Sequence, residues 1–170
     1  MSRPSHISVP EVLALLDADS RQQVFAAVPR EDVLALLLLG ETVRQVLIVE
    51  RAEGRWTLPG ARTQTAWTYP SERPRVTARP LGIARLSITQ SASLGARYPE
   101  TGWTAVTGVA AQDAEIVSVR SDIDSFAAAV SPDGIFLALL RAPWRSRPRI
   151  TVVTHEQQRI EVGPIAETRA

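Results

Sequence analysis

The residues with the most distinctive chemistry lie in one short segment, 141–149. Its nine residues include four arginines, one tryptophan and two prolines. Tryptophan and arginine are enriched at the energetic centres of protein interfaces, and proline fixes the backbone, so a stiff loop loses less entropy on binding. The candidate partner-binding residues are therefore Arg141, Trp144, Arg145, Arg147 and Arg149.

This composition leaves three interpretations open. In the first, a protein partner docks on the segment, with Trp144 as an apolar anchor and arginine salt bridges around it. In the second, the arginines contact phosphates and the tryptophan stacks on a base, although a net charge of +1 argues against nucleic acid as the main ligand. In the third, the loop is solvated and Trp144 folds back onto the core.

Few residues in the chain suit catalysis or metal binding. Cysteine and lysine are both absent, which excludes thiol nucleophiles, disulfides and Schiff-base chemistry. The two histidines, His6 and His155, cannot form a zinc site by themselves. Asp122 and Asp124 lie in a predicted hairpin turn, where aspartate is common. We expect no cofactor, no metal and no enzyme activity, and the enzyme alternative is a site assembled from scattered Asp, Glu, Arg and Ser.

Composition and length are those of one globular domain. The chain has 170 residues, of which 45% are hydrophobic and 22% charged. The polar start is not typical of a signal peptide. The longest apolar run, Val33–Leu39, is too short to cross a bilayer as a helix. We therefore expect a cytoplasmic protein with no membrane span, either a homo-oligomer or a subunit that binds a protein partner; an excised mature fragment stays open.

The first forty residues are predicted to form a small helical cap. Ser8 and Glu11 have the spacing of a capping box. A second short helix is expected over Ser20–Ala27. Glu31 and Asp32 would begin a third helix, where the helix dipole favours acids, and that helix would be apolar nearly all round. The predicted organisation is a cap over residues 1–40 and a β-sandwich domain over 41–170.

From Glu41 onward the sequence favours short strands separated by turn residues. A hairpin turn is expected at Ala52-Glu53-Gly54, and Pro59-Gly60 is expected to end the strand that begins at Arg55. The last third is the clearest, with runs at regular spacing and the turn Ser131-Pro132-Asp133-Gly134. Ile135–Leu140 is apolar without alternation, which predicts a strand buried on both faces, with the helical cap covering the second face. Residues 73–80 are basic and proline-rich, and are expected to be a guarded edge or an extended arm. The strands predicted in the last third are Trp103–Val109, Glu115–Arg120, Ser125–Val130, Ile135–Leu140, Arg149–His155 and Arg159–Val162.

Three further features of the second half are typical of small β domains: the spaced valines Val109, Val117 and Val119, the turn Asp133-Gly134-Ile135-Phe136, and the strand Ile150-Thr151-Val152-Val153-Thr154. On these features residues 108–163 resemble the small Ig-like β-sandwich domains attached to many bacterial envelope and accessory proteins. The resemblance implies a mainly β fold, an Ig-like or related antiparallel sandwich. It also implies a role in binding or support rather than catalysis, and a fold by itself assigns no activity.

Overall fold

Every element in the described part of the chain is a β-strand, and every strand pairing is antiparallel. A computed structural model of the chain describes residues 12, 14, 22–66, 73–78, 82–92 and 100–162. The strands are β1 (Gln23–Arg30), β2 (Val33–Leu39), β3 (Val43–Ala52), β4 (Arg55–Ala66), β5 (Ile83–Ala92), β6 (Thr101–Ala110), β7 (Ala114–Arg120), β8 (Ser125–Ala129), β9 (Ile135–Pro143), β10 (Arg149–Thr154) and β11 (Arg159–Val162). The predicted mainly β class is confirmed. Within these residues no helix has the length and apolar character needed to cross a membrane.

The strands form three sheets. The N-terminal sheet has the order β1-β2-β3-β4, the middle sheet β5-β6-β9 and the C-terminal sheet β11-β10-β7-β8. One buried apolar cluster joins the N-terminal sheet to the middle sheet, and another joins the middle sheet to the C-terminal sheet. The middle sheet is therefore covered on both faces, which explains why its central strands lack alternation.

Strand β9 shows this double burial directly. Leu137 and Leu139 face the N-terminal sheet, whereas Phe136 and Leu140 face the C-terminal sheet. All four side chains are at most 4% exposed. The prediction that 135–140 is buried on both faces is confirmed, but the cover over its second face is a β-sheet and not the expected helices.

The helices predicted for Ser20–Ala27 and from Glu31 onward are wrong. Residues 23–30 and 33–39 are strands β1 and β2, and Glu31-Asp32 is the turn of the hairpin between them, with Glu31 at φ 51°. The physical reason is that an apolar run without alternation fits a buried strand as well as a buried helix. The first predicted helix, which begins at the Ser8 and Glu11 capping box, lies outside the described residues except for Val12 and Ala14.

The second face of the N-terminal sheet explains the continuous apolar run in β2. Leu34, Leu36 and Leu38 point away from the middle sheet into a third buried cluster, which also contains Val12 and Leu47. Each of these side chains is at most 2% exposed. Val33–Leu39 is therefore apolar at every position because it is a strand packed on both faces.

The strands predicted after Gly40 are largely confirmed. All six runs predicted in the last third are strands, with ends that differ by at most a few residues. The turn Glu53-Gly54 joins β3 to β4 as expected, with φ of 51° and 77°, the left-handed values of a tight hairpin turn. One predicted boundary is wrong. Pro59-Gly60 does not end the strand that begins at Arg55, since this strand, β4, continues to Ala66 beyond a bulge. Pairing with β3 across this bulge outweighs the local effect of proline and glycine.

The basic, proline-rich segment docks on its own chain over residues 73–78. The Arg73 guanidinium donates to the carbonyl oxygens of Ala110 and Ala111 at 2.8 and 2.9 Å. The Asp113 carboxylate accepts from the Thr77 amide at 2.8 Å and from the Thr77 hydroxyl at 2.7 Å. These contacts hold the described part of this segment against the turn between β6 and β7.

Candidate functional site

The five predicted partner-binding residues lie where β9 ends and β10 begins. Arg141 is near the end of β9, Trp144, Arg145 and Arg147 belong to the connecting loop, and Arg149 is the first residue of β10. The four arginines are exposed and Trp144 is half-buried. The structure thus places all five at one end of the molecule, but in two different surroundings.

The connecting loop is held by backbone hydrogen bonds. The Ser146 amide donates to the Pro143 carbonyl at 3.0 Å and closes a tight turn, in which Arg145 has φ 63°. The Trp144 amide donates to the Glu100 carbonyl at 3.0 Å, and the Arg145 amide donates to the Gln90 side chain at 3.1 Å. These bonds fix the loop against the N-terminal end of β6 and the C-terminal part of β5, so its arginines are presented from a defined backbone.

Trp144 packs on the protein rather than projecting from it. A methyl group built at Gly102 would lie 3.3 Å from Cε3 of the indole, so the ring rests on the backbone of β6. Glycine at position 102 permits this approach, since any side chain there meets the Ser91 carbonyl oxygen at 2.5 Å. The contact corresponds in part to the folded-back interpretation of Trp144, and a half-buried indole stiffens the loop.

Arg141 belongs to a different environment from the other four. Its guanidinium donates to Glu31 at 2.8 Å and lies over the Trp103 ring, 4.9 Å from the centroid. Residue 141 is on the face of β9 that packs against the N-terminal sheet, whereas Arg149 belongs to β10 of the C-terminal sheet. Arg141 is therefore already engaged within the chain.

A polar cleft of about 230 Å³ opens beside the loop, and we call it the basic cleft. Its lining joins the start of β10 to the end of β7 and to the turn that follows β7. The lining residues are Arg120, Ser121, Asp122, Ser146, Arg147 and Arg149. Three arginines against one aspartate leave two net positive charges in this concave site.

Apart from Arg141, the arginines of this end have no acidic partner within the described chain. Arg120, Arg145, Arg147 and Arg149 make no ion pair and no side-chain hydrogen bond with any residue that the structure describes. Arg120 and Arg149 also face each other directly across the β7–β10 pair. Like charges in that position are destabilising in a sheet, and a bound anion would relieve the repulsion.

Two features of this end were not predicted from the sequence. Arg120 enters the basic cleft only because β7 pairs with β10, and it lies 29 positions from Arg149 in the chain. Ile123 is at the tip of the β7–β8 turn, directly after Asp122, and its side chain is 54% exposed. The signal for Ile123 was available, because a large aliphatic residue between two aspartates in a predicted turn has little chance of burial.

Together these residues define what we call the basic end: Arg120, Ile123, Trp144, Arg145, Arg147 and Arg149. It combines four cations that lack an acidic partner among the described residues with an exposed aliphatic side chain and a rigid loop. Such a surface is suited to binding an acidic group beside an apolar one.

Asp124 in the same turn has a structural role. Its carboxylate accepts from the Arg30 guanidinium at 2.7 Å, from the Arg141 amide at 2.8 Å and from the Ser125 amide at 2.8 Å. Burial acts to raise the pKa of Asp124, but the hydrogen bonds from Arg141, Arg30 and Ser125 outweigh burial and hold that pKa below its ordinary value. Asp124 therefore stays ionised and links residues of all three sheets.

Arg44 is a buried cation on β3, far in the sequence from the basic end. Desolvation, and then the neighbouring charge of Arg85, lower the pKa of Arg44 to about 10. Its guanidinium donates to the Arg85 carbonyl oxygen at 3.0 Å. The hydrogen bond links the N-terminal sheet to β5 of the middle sheet.

His155 is exposed in the β10–β11 turn, where its amide donates to the Asp113 carbonyl at 2.9 Å. Over the described residues no group of three or more His, Cys, Asp or Glu side chains is close enough to hold a metal ion. A second cleft, an apolar groove of about 400 Å³ between β1, β8 and β9, is lined by side chains such as Phe25, Phe126 and Leu137 and contains no carboxylate.

Comparison of the chain with protein-family models, with curated proteins and with solved structures found no match.

Proposed function

We propose that this chain is a non-enzymatic interaction module that docks an acidic protein partner through its basic end. The observation that carries the proposal is the group of four exposed arginines without an acidic partner in the described chain. Arginine keeps its charge under all physiological conditions, and its planar fork matches carboxylate and phosphate oxygens. The partner would supply the acidic groups that these four arginines lack within the described chain.

The surroundings of the arginines favour a protein as the partner. Ile123 exposes 54% of its side chain next to the basic cleft, and an apolar anchor beside arginines is typical of interface centres. The loop bonds of Trp144 and Arg145 keep the surface in place before binding, which lowers the entropy lost on association. In this proposal Ile123 is the apolar anchor, and Trp144 supports the loop from behind.

A non-enzymatic role is supported by the contents of the two described clefts. The basic cleft has one carboxylate, Asp122, and the apolar groove has none. General acid–base chemistry by carboxylates commonly uses a pair of them with different environments. The competing enzyme hypothesis would require such a pair to converge on bound substrate.

We further propose that the middle and C-terminal sheets form an Ig-like or related sandwich, as the resemblance of residues 108–163 implies. Two observations support this. The two sheets contain three and four strands, the division found in seven-stranded Ig-like domains, and they share one apolar core. The chain also passes from β8 back to β9 beside β6, a crossing between sheets that such sandwiches share.

The test is affinity capture from the organism that encodes the chain, with two matched double variants. Arg147→Gln/Arg149→Gln removes two charges from the basic end. Arg75→Gln/Arg159→Gln removes two exposed charges near the opposite end of the C-terminal sheet, where Arg159 begins β11 and Arg75 follows Pro74 beside the β6–β7 turn. We expect one stoichiometric protein whose affinity falls at least about tenfold, about 1.4 kcal/mol, with the first variant and stays unchanged with the second.

Circular dichroism and thermal unfolding would confirm that both variants fold like the parent chain. The proposal is wrong if nuclease-treated extract yields no stoichiometric protein, or if both double variants retain the same affinity. Capture that is lost on nuclease treatment would instead favour the arginine-dependent nucleic-acid hypothesis.

A further inference from the structure

The basic cleft has a charge that suits a particular class of anion. Three arginines and Asp122 leave two net positive charges around about 230 Å³ of space. A carboxylate carries one negative charge, as does a phosphodiester, and either would leave the cleft positive. A phosphate monoester carries close to two negative charges at neutral pH and offers three acceptor oxygens. Charge balance therefore favours the monoester.

One residue of the cleft lining has a hydroxyl group without a partner among the described residues. Ser146 lines the cleft, and its Oγ is buried with no hydrogen-bond partner among the described residues. A buried polar atom left unpaired is destabilising. Ser121, the other serine of the lining, already donates to the Arg141 carbonyl at 2.6 Å and holds the turn. An oxyanion bound in the cleft would supply an acceptor once the Ser146 hydroxyl turns toward it.

The backbone places the arginines where one anion can meet several of them. Arg120 and Arg149 are direct cross-strand partners. Arg147 lies two residues before Arg149, in the connecting loop, and lines the same cleft. Guanidinium groups bind tetrahedral oxyanions through paired N–H···O bonds. These three arginines, whose like charges repel one another in the free chain, would together bind a single anion.

We propose that the basic cleft is a binding site for a phosphate monoester, presented as a phosphorylated side chain on the partner. This inference rests on the proposed docking function, and it names the group that the partner contributes. Arg120, Arg147 and Arg149 bind the phosphoryl oxygens, and Ser146 donates one further hydrogen bond. Binding is non-covalent, and no bond in the phosphate is broken.

The experiment uses the full chain and phenyl phosphate as the probe, with affinity measured by calorimetry at low salt. Benzoate and a short single-stranded oligonucleotide serve as the carboxylate and phosphodiester probes. We expect saturable binding of phenyl phosphate that weakens at least about tenfold in Arg147→Gln/Arg149→Gln and is unchanged in Arg75→Gln/Arg159→Gln. Affinity should rise between about pH 5 and about pH 7.5, because the second proton of the monoester leaves near pH 6.

The phosphate site is overturned if phenyl phosphate shows no saturable binding, if both double variants bind it equally, or if benzoate or the oligonucleotide binds with equal affinity.

A second experiment separates this inference from the docking function: the extract is treated with phosphatase before capture. Loss of the partner after treatment supports the phosphate site. Undiminished capture that still requires Arg147 and Arg149 overturns the phosphate site and leaves the docking function standing. Phenyl phosphate binding without any captured protein supports the site and overturns the docking function.

Discussion

Asp124 offers the sharpest test of the three-sheet arrangement, because its carboxylate joins all three sheets. Asp124 directly precedes β8 of the C-terminal sheet, Arg30 ends β1 of the N-terminal sheet and Arg141 belongs to β9 of the middle sheet. The perturbation we consider is Asp124→Asn, which keeps the shape of the side chain and removes its charge. It also leaves one oxygen where two accepted hydrogen bonds.

The expected magnitude follows from the contacts of that carboxylate. The Asp124 side chain is 19% exposed and Arg30 is 27% exposed, so solvent screens the pair only in part. A hydrogen bond to a charged group contributes about 1.5–3 kcal/mol, and Asn retains some of the bonds. We therefore expect Asp124→Asn to lower the free energy of unfolding by about 2 kcal/mol, or the melting temperature by roughly 4–8 °C.

The pH dependence gives a second readout with a definite sign. The folded-state pKa of Asp124 lies below its ordinary value of 3.8. A lowered carboxyl pKa stabilises the fold above the unfolded value, and this stabilisation is lost as pH falls through the folded value. The difference between the parent chain and Asp124→Asn should stay constant from neutral pH down to about pH 4 and close below it.

The assay is urea denaturation at several pH values, with Asp32→Asn in the exposed β1–β2 turn as the control. A double-mutant cycle with Arg30→Gln isolates the pair. The reasoning is refuted if Asp124→Asn costs less than about 0.5 kcal/mol, or if the difference between the two chains does not change at low pH.

Three further predictions address packing and the division of the arginines. Gly102→Ala should destabilise the fold by about 1–3 kcal/mol, as measured by urea unfolding, because the new methyl group meets the Ser91 carbonyl oxygen at 2.5 Å. It should also change the tryptophan fluorescence of the folded protein, because the methyl group reaches Trp144. Leu139→Ala should cost about 2–5 kcal/mol in the same assay without changing phenyl phosphate affinity, since Leu139 is 0% exposed and lies between the N-terminal and middle sheets. Arg141→Gln should change partner affinity less than about twofold and stability by less than about 1 kcal/mol, because its contacts lie within the chain and are half exposed; a loss equal to that of Arg147→Gln/Arg149→Gln would contradict this division.

The sequence by itself determined the strands of the second half. Short runs that are mostly apolar or β-branched, bounded by turn residues, specify a strand and its ends locally, which is why β6 to β11 are predicted within a few residues. The burial of Ile135–Leu140 on both faces also follows from its lack of alternation. These properties depend on a residue and its near neighbours.

The tertiary structure alone decided what Val33–Leu39 becomes. An apolar run of this length satisfies a buried strand or a buried helix equally, and the choice depends on the partner that completes its hydrogen bonds. Here β1 and β3 supply them, and the middle sheet and the cluster around Val12 cover its two faces. No window of the sequence contains all of these partners.

The candidate site divides in the same way. Arg147 and Arg149 were evident from their density in one loop, but Arg120 joins them only through the β7–β10 register, and Arg141 leaves them because it faces the N-terminal sheet. Composition therefore determined that the segment 141–149 is basic. Which arginines meet in one cleft, and which one is already engaged, was decided by strand pairing between residues distant in sequence, because pairing and not chain order sets which side chains share a face.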